Sequence, residues 1–156
     1  MEDWDINKRM EFKNYSKTEV QELVKMVHMG AMIRSSVAES QGQDWKKLES
    51  FEQKIYQSIY EAGYTDIIVQ FEGILLPNDI ILKAAEQVQA EYNEEEFWHE
   101  LMVQFGKRDF FRTATKQEKQ YIEEGGWLPE RVHTYYEIYD EEFSEHGIER
   151  LEITKD

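Results

Sequence analysis

Residues 65–77, TDIIVQFEGILLP, decide whether this chain is all helix or helix with a β element. β-branched residues favour a pleated surface, as a short strand or a hairpin, yet an apolar run this short is also compatible with a buried turn of helix. We read it as a short strand. Its expected partner is the far end of the chain, where Leu151 and Ile153 alternate with charged residues, so that 67–71 would pair with 148–153.

Everything around that stretch reads as helix. Upstream, Ser16-Lys17-Thr18-Glu19 has the form of a capping box and opens a helix running to about Ala38. Val20, Val24, Val27 and Ala31 mark one of its faces and Met26, Met29 and Ile33 the opposite one, which predicts a central helix buried on two sides. After the loop Ser40-Gln41-Gly42, a second helix is expected from about Asp44 to Ala62, with Leu48, Phe51, Ile55 and Ile59 as its stripe and Gly63 as its stop. Downstream, Asn78-Asp79 caps a helix to about Tyr92, and Asn93, with Glu96 three residues on, opens the next, which fades near Arg112.

Thr115 to Glu118 repeats the capping pattern for a short helix ending at Gly125-Gly126. Pro129 suits the first turn of a last helix, striped by Val132, Tyr136, Tyr139 and Phe143 and stopped by Gly147. The expected fold is mainly α: a compact bundle of five to six helices with the small two-stranded β element as an optional part. Residues 1–15 form an N-terminal extension, in part disordered, and 16–156 a single helical domain, since a chain of about 150 residues can bury roughly 70% of its unfolded surface unaided.

Composition narrows the chemistry. The chain has 156 residues and no cysteine, which excludes disulfides, thiolate nucleophiles and sulfur-bound metal sites and suits a reducing cytosol. No stretch approaches the ~20 apolar residues that span a bilayer, and the start MEDWDINKRM lacks the form of a signal peptide. A cytoplasmic protein without membrane contact is expected. The net charge of −15 is unevenly spread: residues 61–100 carry 1 basic and 10 acidic side chains, and residues 137–156 carry 2 and 8. Residues 1–60, with 9 basic and 10 acidic, nearly balance. A negative field repels phosphate backbones, so no direct nucleic-acid binding is expected, and it favours basic partners; it also serves plain solubility.

The stretch 94–111, EEEFWHELMVQFGKRDFF, is the one that resembles a site. Glu96 and His99 stand at the i,i+3 spacing of carboxylate-bridged di-iron bundles, but such sites need two such pairs and further glutamates. With Leu101 at zero on a helical wheel, Phe97, Leu101, Phe105 and Trp98 lie within about 60°, whereas His99 and Glu96 fall near 160° and −140°. They are weak metal candidates on the solvent side, and neither a metal nor another cofactor is expected. Arg108, Asp109 and Arg112 fall near −20°, 80° and 20°, so the apolar face runs into charge. Buried charges need partners, and Glu142 or Glu145 of the last helix are the expected ones; an inward ion-pair network is the first reading of this trio and a ligand patch the second.

Other candidates are weaker. His28, on the apolar face between Val27 and Ala31, reads as a core residue before a catalytic one. His133 and His146 lie near Glu130 and Glu142 at the spacing of surface helix pairs. No Ser-His-Asp order, Gly-rich phosphate loop or HExxH motif appears. Tyr135 lies off the main stripe of the last helix beside Glu137, Asp140, Glu141 and Glu142, which together make the candidate partner-binding surface, unless Tyr135 covers a second core edge.

From Tyr15 onward, FWHEL at 97–101, RDFF at 108–111 and the ending EEFSEHGIERLEI at 141–153 resemble a group of small acidic bacterial proteins to which no function is attached. The resemblance implies a bacterial, cytoplasmic origin and carries no catalytic residue. The first expectation for function is a non-enzymatic binding or regulatory protein whose acidic surface engages a basic partner, as an inhibitor, immunity protein or charge mimic does. The alternatives are a metal-dependent enzyme with Glu, Asp and His ligands, and a self-associating structural protein whose helix stripes are completed by a second copy.

Overall fold

The computed structural model describes residues 12–152. It is mainly helical, with one two-stranded antiparallel sheet. Its contacts group into two compact units, Met1–Ala90 and Glu91–Asp156.

In the first unit, Lys17–Ser40 forms helix α1 and Lys46–Glu61 helix α2. The capping box is present as expected: the Glu19 N–H donates to Ser16 Oγ at 3.3 Å, and the Ser16 N–H donates to Glu19 Oε2 at 2.7 Å. Such a cap contributes about 0.5–2 kcal/mol. The Ile67–Pro77 region is a hairpin, strands β1 (Ile68–Phe71) and β2 (Ile74–Pro77). Its partner is therefore next to it in sequence, not at 148–153: residues 147–150 are turns, 151–152 carry no strand, and Ile153 lies outside the described residues. The local pairing wins because Glu72 and Gly73, at φ 50° and 85°, form a two-residue turn whose twist matches that of the strands, so the sheet closes over two residues instead of about seventy.

The hairpin register pairs Phe71 with Ile74 and Gln70 with Leu75. In a two-residue hairpin the residues flanking the turn exchange hydrogen bonds, so the next pair points its backbone groups outward. Leu75 is buried, and α2 answers this demand with one side chain. Gln53 Nε2 donates to the Leu75 carbonyl at 2.9 Å, and the Leu75 N–H donates to Gln53 Oε1 at 3.1 Å. An amide side chain thus takes the place of a third strand.

Around this joint Phe12, Val20, Val24, Tyr56, Ile59, Ile67, Ile68, Leu75 and Ile81 form the core of the unit. Phe12, the first described residue, is buried in that core, so the expected extension 1–15 contributes at least this side chain; residues 1–11 lie outside the described residues. The Tyr56 hydroxyl donates to Glu52 Oε1 at 2.5 Å, and the same oxygen lies 3.2 Å from His28 Nδ1. Burial, then the neighbouring carboxylate, push the Tyr56 phenol far above its ordinary range. His28 is half-buried beside a partner, in accord with the core reading of it.

α1 is not buried on two sides. Val20, Val24 and Ala38 are buried, but on the opposite face Met26 is 63% and Ile33 46% exposed. Phe51, expected in the α2 stripe, is 64% exposed, while Tyr56 takes the inner position.

Helix α3 is a single element, Asp79–Thr113, where two helices were expected to meet at Asn93. Asn78 caps it, accepting from the Ile81 N–H at 3.0 Å and donating to the Asp66 carbonyl at 2.7 Å. Asn93 is bypassed because its neighbours Ala90, Glu91, Glu94 and Glu95 are strong helix formers, and an interior Asn costs at most about 0.7 kcal/mol.

The second unit contains the remainder of α3, helix α4 (Lys116–Gly125) and helix α5 (Val132–His146). α4 has the expected capping box from Thr115 to Glu118, and Gly126, at φ 71°, ends it. Pro129 precedes α5 by one turn, its carbonyl accepting from the Val132 N–H at 3.0 Å. α3 meets α5 through Gly106: a Cβ there would stand 2.4 Å from the Tyr136 ring. Beside it Phe105 stacks on Tyr139 and Phe143, with ring centroids 5.3 Å and 5.7 Å apart. Among the described residues no helix is long and apolar enough to cross a membrane.

Two substitutions test these joints. Gln53→Ala leaves the buried Leu75 groups unpaired and is expected to cost about 1–3 kcal/mol, read as a lower urea midpoint at unchanged slope. Gly106→Ala is expected to destabilise by about 1–3 kcal/mol, because the forced shift of Tyr136 outweighs the gain in helix propensity.

Candidate functional site

The contacts with α5 reset the helical wheel of α3. Trp98, Met102, Phe105, Gly106 and Asp109 make or flank the contact, so the face is centred roughly 80° away from Leu101. Phe97, expected on the packing side, is consequently 52% exposed. Gly106 causes the turn, because a residue without a side chain has no weight in a hydrophobic pattern yet permits the closest approach.

That rotation places the charged trio. Asp109 falls at the middle of the contact and the two arginines at its edges, with side-chain exposures of 24% for Asp109, 42% for Arg108 and 66% for Arg112. Arg108 Nε and Nη2 donate to the two Asp109 oxygens at 2.8 and 3.0 Å, and Arg112 Nη1 donates to Oδ1 at 3.0 Å. The Tyr139 hydroxyl donates to Asp109 and accepts from Arg108 Nη2 at 2.9 Å. The trio is thus paired within itself and with α5, but at the surface and not inside the fold. Arg108, foremost, with Tyr139 and Arg112, holds the Asp109 carboxyl down at about 2.

Neither expected partner is used. Glu142 accepts from Arg150 Nη1 at 3.1 Å, and Glu145 lies 3.4 Å from His146 Nε2. His133 stacks edge-on against Tyr136, ring centroids 5.6 Å apart.

A second clamp had no expectation behind it. Arg131 Nε and Nη2 donate to the Glu118 oxygens at 2.7 and 3.0 Å, Nη1 donates to the Tyr135 hydroxyl at 3.0 Å, and the guanidinium lies 4.9 Å from the centre of the Phe110 ring. Tyr135 is therefore half-buried and engaged, and its hydroxyl also contacts Thr113 Oγ1 at 2.5 Å. Arg131, followed by the Thr115 backbone N–H, holds Glu118 down at about 2. Only the capping-box role of Glu118 was visible in the sequence.

What stays open is a groove of about 610 Å³ between α3 and α5. Trp98, Met102 and Phe143 give it an apolar lining, with Trp98 and Phe143 centroids 6.1 Å apart. Glu95, His99 and Asp140 stand on its rim. Neither Glu95 nor Asp140 has an ion-pair partner among the described residues. Of the expected surface, Asp140 thus lines the groove, Glu137 and Glu141 are exposed on the same helix, and Glu142 is paired.

Glu96 and His99 are both exposed, and no bond joins them; Glu96 faces a separate apolar hollow beside Phe97 and Leu101. Among the described residues no three of His, Asp and Glu converge closely enough to hold a metal ion. The groove instead offers what a cationic side chain needs, an aromatic wall for its stem and carboxylates for its head.

The chain matches no protein-family model, no curated protein and no solved structure.

The two depressed carboxylates set an acid limit. Their ordinary values are 3.8 and 4.5, so on acidification the unfolded chain takes up protons first. The stability they contribute is complete above about pH 4.5 and lost as pH falls towards 2. The double variant Asp109→Asn with Glu118→Gln is expected to be less stable at pH 7 and to lose less on going from pH 4.5 to 2.5, measured by urea unfolding at each pH. Tyr139→Phe is expected to cost about 1.5–3 kcal/mol at pH 7, because it removes a hydrogen bond to a charged group.

Proposed function

We propose that this protein is a non-enzymatic binding protein that engages a basic polypeptide through the α3–α5 groove. One observation carries the reading: two carboxylates without ion-pair partners, Glu95 and Asp140, flank a groove lined by Trp98 and Phe143. Structural carboxylates in this unit are consumed by Arg108, Arg112, Arg131 and Arg150. Those of the groove are left for a ligand.

The field around the groove supports the same reading. α5 carries five acidic residues and no Lys or Arg, and residues 91–100 of α3 carry five acidic residues and none either. Such a potential speeds encounter with a basic partner and aligns it, while the aromatic groove supplies the desolvated centre that retains it. An inhibitor, an immunity protein or a charge mimic is the class of protein that works in this way, in the cytoplasm.

The test uses a fluorescent Lys- and Arg-rich peptide, titrated with the full chain at low and at higher salt. Affinity is expected to fall with salt. Glu95→Lys combined with Asp140→Lys should weaken it about tenfold or more, as expected for two exposed charge pairs of up to about 1 kcal/mol each. Trp98→Ala should weaken it with the salt dependence retained. Unchanged affinity and salt slope in the charge-reversed variant would remove the groove from consideration.

A further inference from the structure

The second unit treats its two kinds of cation differently. Among the described residues every arginine of the unit is held by a carboxylate, Arg108 and Arg112 by Asp109, Arg131 by Glu118 and Arg150 by Glu142, whereas Lys107, Lys116 and Lys119 have no ion-pair partner. Two of these arginines also lie over rings. The Arg108 guanidinium carbon stands 4.4 Å from the centre of the Phe105 ring while Nε and Nη2 fork onto Asp109. That of Arg131 stands 4.9 Å from Phe110 and 5.6 Å from Tyr135 while its fork closes on Glu118. The recurring arrangement is a ring beneath the guanidinium and a carboxylate across its donors.

The α3–α5 groove has that composition without a cation from the chain. On α3, Glu95 stands three residues before Trp98, and on α5, Asp140 stands three residues before Phe143, so each carboxylate shares a helix face with its ring. The two rings are 6.1 Å apart and inclined at 40°. Phe143 is buried and Trp98 half-buried, so the indole is the ring that a ligand meets, and indole is the best of the aromatic surfaces for a cation. At about 610 Å³ the groove falls within the roughly 300–1,000 Å³ of sites that enclose a ligand.

We propose that the groove selects arginine over lysine: one arginine of the basic polypeptide seats its guanidinium on Trp98 and divides its N–H donors between Glu95 and Asp140. This names the side chain that the site takes, and it rests on the reading of the groove as the docking site of a basic partner. The physical difference between the two cations decides the choice. A lysine ammonium is a compact, strongly hydrated point charge with three donors, and bringing it against a ring costs it water. A guanidinium is planar and weakly hydrated, and its five donors point in fixed directions, so its edge can meet carboxylates while its face rests on the indole. Two carboxylates on separate helices present four oxygens, more than three ammonium donors can meet. The arginines that the unit already holds over Phe105 and Phe110 are the same solution within one chain.

Two fluorescent peptides of equal length and charge, one with arginine and one with lysine at every basic position, test it by titration with the full chain at one salt concentration. The arginine peptide is expected to bind about tenfold more tightly, since the stacking and the fork both favour guanidinium. Trp98→Leu should bring the two peptides to within about twofold of each other, chiefly by weakening the arginine peptide, with the helical circular dichroism retained. Glu95→Gln with Asp140→Asn leaves the ring in place and should weaken both peptides while narrowing the difference between them. Equal affinities for the two peptides in the wild type, or a preference for arginine that both variants keep, overturns the inference. Equal affinities that Glu95→Lys with Asp140→Lys still lowers leave the groove as a docking site for basic chains without this selectivity. Binding of neither peptide removes the groove itself, and the selection of arginine with it.

Discussion

The cost of removing charge from water shapes every part of this protein. One residue in three is charged, and among the described residues no buried polar or charged side chain occurs. An ion buried alone costs several kcal/mol, so each helix can offer its core only a narrow apolar stripe and must turn the remainder to solvent. Where polar groups do approach the interior, they arrive paired: Glu52 with Tyr56 and His28, Gln53 with the Leu75 backbone, Asp109 with two arginines and a tyrosine.

The same constraint separates structural charge from available charge. In the second unit the carboxylates near arginine are drawn into clamps, and their depressed ionisation sets an acid limit below about pH 4.5. Arg131 is the more informative of the two clamps, since its bidentate hold on Glu118 and its place over Phe110 join α4 to the ends of α3 and α5. A lysine could satisfy the charge but neither the fork geometry nor the stacking. Glu95 and Asp140, with no such neighbour, are the anions left at a groove.

In this acidic chain the two adjacent helices α1 and α2 each balance three basic against three acidic residues, and they leave Met26, Ile33, Val37 and Phe51 exposed.

Local chemistry made much of the architecture legible from the amino-acid sequence alone. The capping boxes at Ser16 and Thr115, the Asn78 cap and the glycine stops at Gly126 and Gly147 are contests between neighbours a few residues apart, and each appears where the pattern places it. The stripe Val132, Tyr136, Tyr139 and Phe143 faces inward for the same reason. What needed the tertiary structure was every choice among partners. Asn93 carries a capping signal that its helical neighbours outvote, and the 67–71 strand pairs with 74–77 because a two-residue turn closes more cheaply than a long loop. Most of all, the face that α3 turns to α5 is set by Gly106, a residue with no hydrophobicity for a pattern to register, and with it the surface position of Asp109 and the opening beside Trp98. Periodicity reports how much of a helix is apolar; only the neighbour against which it packs decides which side is inward.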